Sequence, residues 1–212
     1  MNRREFLSCQ AKGILWMIAG GSGILLPKKL IAAPVPDIAV VKGAPAAATR
    51  AAVDLLGGMK QFVKPGDRVV IKPNMSFRSP PERASNTHPE VVRELAVMCK
   101  EAGAAKILIL DHTLDQPELC LKRSGIRRAC EPISNKMVFA LNDDRFYRAT
   151  DIPDGMNMTS TDIMKAVLKS DVLIAAPVAK SHSATGVSLS MKGMMGLNYD
   201  RSVMHEKYNL HT

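Results

Sequence analysis

Residues 172–178, VLIAAPV, form an apolar run with no polar interruption. A strand with one wet face alternates apolar and polar side chains. An unbroken run suits a strand buried on both faces, as in a parallel sheet covered by helices. Pro177 has no N–H to give a ladder, so the regular strand is expected to end near it. Lys180, Ser181 and His182 then fall just past its carboxyl end. In open α/β sheets, ligands bind at that edge. A further lysine, Lys192, follows in the Gly- and Met-rich stretch MKGMMG.

The rest of the chain repeats the alternation. The pattern predicts strands over 38–42, 68–72, 106–110 and 136–141. It predicts helices over 46–63, 88–101, 118–130 and 161–169. Thr87 is the expected N-cap of the second helix, with Glu90 completing a capping box and Pro89 in the first turn. His88 has no part in that local pattern and sits where a helix N-terminus favours anions. Segments 76–85 and 142–159 read as irregular and polar. The fold class is therefore α/β, a mostly parallel sheet covered by helices in a single domain.

Of 212 residues, 46% are hydrophobic but only 4% are aromatic, so the core must be aliphatic. The formal charge is +9, and residues 1–33 carry five basic side chains against one acidic. No basic block is interleaved with aromatics, which argues against nucleic acid and leaves a small anionic ligand as the expected partner. Cys9, Cys99, Cys120 and Cys130 are scattered and form no CxxC. The chain supplies no local iron–sulfur motif. With Cys9 in the leader, three remain; buried small residues are the main reading, and a Cys120–Cys130 pairing is open if the protein is exported.

Residues 1–33 read as a signal segment. The sequence NRREFL closely resembles a twin-arginine export signal, and the uncharged stretch 13–27 is short for a membrane span. Pro34 disfavours a cut after Ala33. The expectation is an exported, periplasmic or extracytoplasmic protein handled by the twin-arginine machinery, with no stable span after processing. An uncleaved N-terminal anchor is the alternative. Residues 34–212 form the α/β domain.

Three predicted strands end in chemically competent residues: Lys72 and Asn74, Asp111 and His112, Lys180 and His182. In a parallel sheet these ends share one edge. Lys72, Asn74 and Lys192 are candidates for holding an anionic substrate. Lys180 and His182 are the candidate catalytic residues. His88, His112 and His182 are candidate metal ligands, although no HxH or HExxH spacing supports a metal. GxSxG, P-loop and GxGxxG motifs are absent. Gly193 and Gly196 allow close backbone approach, and Met191, Met194 and Met195 read as packing.

The stretches IKPNM at 71–75, NTHPEVV at 86–92 and APVAKSHSATGVSLSMKGMMG at 176–196, together with His205, resemble the domain-of-unknown-function 362 family. Many of its members carry a twin-arginine leader. Many are described as iron–sulfur or redox-associated, so the resemblance implies a metal ion, or an iron–sulfur cluster held with a partner. Where the family usually reads Lys-Asn, this chain has Lys192-Gly193, so no asparagine side chain is available there. The family domain extends past residue 212, which reads as a fragment missing its C-terminal part. The expected function is an anion- or metal-assisted site at the strand carboxyl ends. The alternatives are a non-enzymatic cofactor-binding or maturation protein, or an inactive remnant.

Overall fold

A computed structural model describes residues 35–202, apart from 157 and 184. The stretch expected to be a signal segment, with Cys9, and His205 lie outside the described residues. Four parallel strands form the central sheet: β1 (Arg68–Pro73), β2 (Lys106–Asp111), β3 (Val138–Ala140) and β6 (Val172–Ala176). Their order is β3-β2-β1-β6. Ile71 of β1 is level with Ile109 of β2 and Ile174 of β6.

Alternation along β1 and β2 explains why their central residues are apolar on both faces; β6 lies at the sheet edge, and its Leu173 is 37% exposed. Val69 and Ile71 of β1, with Ile107 and Ile109 of β2, join the larger core. Val70, Leu108 and Leu110 point the other way into a second cluster with Tyr147, Met164 and Leu197. Side chains alternate across a strand, so covering both faces demands apolar residues at every position. Helix α2 (Pro89–Glu101) lays Val92, Leu95, Ala96 and Cys99 on the larger core, the 3–4 spacing of one helix face. Helices α3 (Pro117–Arg123) and α4 (Ile126–Cys130) complete that side. Cys99, Cys120 and Cys130 are free and buried.

Several expected elements differ. Residues 38–42 form no strand; Ile38 and Val40 are 80% and 91% exposed, so the run has no partner to pack on. Helix α1 is Pro45–Leu55 rather than 46–63, because Gly57 and Gly58 take φ of 94° and 81° and break it. Gly125, at φ 73°, splits the helix expected over 118–130 into α3 and α4. The segment 142–159 is not irregular throughout. It holds β4 (Tyr147–Asp151), which pairs antiparallel with β5 (Ser160–Met164), leaving only the short helix α5 (Lys165–Leu168) of the one expected there. Past β6, the strands β7 (Lys180–His182) and β8 (Gly186–Ser188) form a second hairpin, and α6 (Ser190–Met194) follows.

Thr87 does not cap α2. The cap is His88, whose Nδ1 accepts from the Glu90 N–H at 3.3 Å. The Thr87 hydroxyl instead donates to the Ala176 carbonyl at 2.6 Å and accepts from the Asn74 N–H at 2.8 Å. One side chain thereby ties the ends of β1 and β6 together.

Candidate functional site

The sheet order brings the three polar strand ends together. β1 lies between β2 and β6, so Lys72, Asp111 and the segment leading to Lys180 converge. The chain turns from β2 and β3 on one side of β1 to β6 on the other. That reversal is the switch point where open α/β sheets form a crevice.

An ion pair lies at the bottom of this crevice. Lys72 Nζ is 2.8 Å from Asp111 Oδ1, with the side chains 2% and 0% exposed. Lys72 also donates to the Pro73 carbonyl at 2.7 Å. The carboxylate accepts from the N–H of Met75, the hydroxyl of Ser76 and the N–H of His112, each at 2.9 Å. Burying two charges is costly unless their remaining hydrogen-bonding capacity is used, and here it is. Gly196 closes over the pair. A Cβ at that position would stand 2.5 Å from Asp111 Oδ1 and 2.9 Å from Lys72 Cε. Only glycine fits.

The strand β5 places this lid. Asn198 bridges to Ile163, and the Tyr199 N–H donates to the Asp162 carbonyl at 3.0 Å. The same segment delivers Arg201, which donates to the carbonyls of His112 and Thr113 at 3.3 Å each.

A cavity of about 490 Å³ opens above the pair. Lys72, Asp111, Lys180, His182, Lys192 and Arg201 supply its charged and imidazole groups. Its apolar wall includes Phe77, Leu114 and Met195. Lys180 Nζ donates to the Ser85 carbonyl at 2.9 Å and stands 4.6 Å above the Phe77 ring. Lys192 Nζ is 2.9 Å from Met195 Sδ. Burial lowers the pKa of Lys180, with Asp111 acting the other way. Burial also lowers Lys192, and Arg201 adds to it. Arg201 is lowered by burial, against Asp111 and Tyr147.

Lys72, Asn74, Lys180, His182 and Lys192, all expected from the sequence, line this cavity. Asn74 also braces it: its Oδ1 accepts from the Val178 N–H at 2.9 Å. The His182 Nδ1 accepts from the Thr185 N–H at 3.3 Å, which puts the proton of the neutral ring on Nε2. Arg201 and Ser76 were not expected. Arg201 is a lone arginine in a polar segment and carries no motif. Ser76 opens a stretch that reads as exposed loop, yet it is buried.

The three histidines do not share a centre. His88 is exposed at the α2 cap. His112 is buried beside Tyr147 and Tyr199, with its Nδ1 3.2 Å from the Asn198 carbonyl. Burial is the main reason its pKa is lowered. Among the described residues, no three His, Cys, Asp or Glu side chains group to hold a metal ion. Burial pushes the Cys99 and Cys130 thiols up to about 12, so they are poor thiolate donors. The described donor set therefore does not fit a resident metal or cluster.

Comparison with known proteins places this site in context. The chain is 29% identical over 150 residues to a thylakoid-associated protein of Synechocystis sp.. That match covers 71% of this chain and 45% of the relative. Among the described residues, no helix is long and apolar enough to cross a membrane. Residues 69–212, which include all of the sheet except Arg68 and every side chain of the cavity, match the domain of unknown function DUF362, and the chain belongs to that family.

Proposed function

We propose that the cavity at the carboxyl ends of β1, β2 and β6 binds a small anionic ligand bearing carboxylate or phosphate. The supporting observation is its charge balance. Four cationic side chains line the cavity and face one carboxylate, and that carboxylate is held by Lys72. Among the described residues, none of Lys180, Lys192 and Arg201 has a carboxylate within ion-pair distance. Partly desolvated cations without counter-charge favour an anion that replaces the lost water. Asn74 and Thr87 hold the edge, and Lys180 and His182 are the groups that would move a proton on a bound ligand. The twin-arginine-like NRREFL supports an exported protein that meets its ligand outside the cytoplasm.

The test is a thermal melt of the full chain in inorganic phosphate against chloride at matched ionic strength. At a hundredfold excess over Kd, a ligand bound only by the folded state adds about 2.7 kcal/mol. For a chain of this size that raises Tm by roughly 5–11 °C. Equal melting in both salts, repeated with acetate and citrate, would remove the anion site.

A further inference from the structure

Building on the anion-site reading, we infer that the ligand carries two anionic groups, each a carboxylate or phosphate, separated by a short neutral stretch. The charge of the cavity is uneven. Its floor is the Lys72–Asp111 pair, which is neutral as a unit and closed over by Gly196. Lys180 and Arg201, which among the described residues have no carboxylate within ion-pair distance, stand to either side. Arg201 is held on the β2 side by the His112 and Thr113 carbonyls. Lys180 rises from β7, beyond β6, and its ammonium is tied to the Ser85 carbonyl. Ser85 is two residues from Thr87, whose hydroxyl binds the end of β6.

β1 lies between those two anchoring strands. Neighbouring strands are about 4.8 Å apart, so the backbones of β2 and β6, which flank β1, are roughly two spacings, about 10 Å, apart. A ligand with an anionic group on each flank of β1 would engage both ends. Each end keeps donors to spare. Arg201 uses two of the five N–H groups of a guanidinium, and Lys180 uses one of three on its ammonium. The cavity wall also offers Phe77, Leu114 and Met195, suited to a short hydrocarbon linker rather than to a third charge. Lys192, whose Nζ is 2.9 Å from Met195 Sδ, adds a further cation to the same cavity.

The test is calorimetric titration of the full chain with the straight-chain diacids from succinate to pimelate, and with 3-phosphonopropionate. Acetate and inorganic phosphate serve as the one-headed probes. The expected result is a maximum within the two-headed series at least tenfold tighter than either one-headed probe, because the second contact becomes intramolecular. Lys180→Gln and Arg201→Gln, each verified by its melt as folded, should reduce the best two-headed probe to one-headed affinity. Arg201→Lys, a milder change, should fall in between. If phosphate binds and no two-headed probe exceeds it, the two-headed ligand is wrong while the anion site stands. If no probe binds, both fall.

Discussion

Replacing Asp111 by asparagine keeps the shape of the side chain and removes its charge. Lys72 is then left as an ammonium 2% exposed with no counter-charge. The amide cannot accept at both positions. One of its faces becomes a donor, set against the Met75 N–H and Ser76 hydroxyl or against Lys72. Removing one member of a buried pair costs about 3–5 kcal/mol. A domain is stable by about 5–15 kcal/mol, so the variant should still fold. Its Tm should fall by roughly 6–20 °C. Lys72→Met should cost less, because the carboxylate keeps three donors from Met75, Ser76 and His112. The assay is urea unfolding followed by circular dichroism on the wild type, both single variants and the double variant. The double variant should cost less than the sum of the singles, by about 0.5–3 kcal/mol. A cost under about 1 kcal/mol for Asp111→Asn, or strict additivity, would refute the claim that this pair organises the strand ends.

Gly196→Ala should lower stability by about 1–3 kcal/mol, since its Cβ would collide with Asp111 and Lys72. Gly193→Ala is the control: its Cβ would meet only the Pro177 Cβ, at 3.6 Å, so urea unfolding should show little change. His112 gives a pH dependence. Burial holds its folded pKa below the ordinary 6.5, so the unfolded chain takes up the proton first. Stability is therefore complete above about pH 6.5 and declines as pH falls toward the folded value. In His112→Gln, melts between pH 7 and 5 should lose that slope. An unchanged slope would assign it to other groups.

The strands were legible because burial on both faces leaves an apolar mark at central positions, as in 69–71 and 107–110; 172–176 carries the same mark although Leu173, on the edge strand, is 37% exposed. The convergence of their ends followed from parallel pairing. Strand order was not legible, because it is set by which helix covers which face. The β4–β5 hairpin was missed because Thr161, Asp162 and Ile163 also satisfy a helical pattern, and pairing to Tyr147–Asp151 decides between them. Thr87 shows why local motifs mislead: its capping-box spacing is intact, yet two contacts across the sheet, to Asn74 and Ala176, take its hydroxyl instead. Lys180 was legible by its place after a strand, and Lys192 by the Gly- and Met-rich run that holds it. Arg201 was not, because only the bridge of Asn198 to Ile163 brings that segment over the site.

On the proposed reading, the cavity's cations are held for a ligand and not for the fold. Calorimetric titration of Lys180→Met with the tightest two-headed probe, paired with its melt in chloride, separates the two. Burial lowers the folded pKa of Lys180, so at neutral pH its charge is less favourable folded than unfolded. Removing that charge should leave the ligand-free Tm unchanged or raised, while the two-headed probe falls to one-headed affinity. A lowered Tm with two-headed binding intact would contradict the reading and make Lys180 a structural residue.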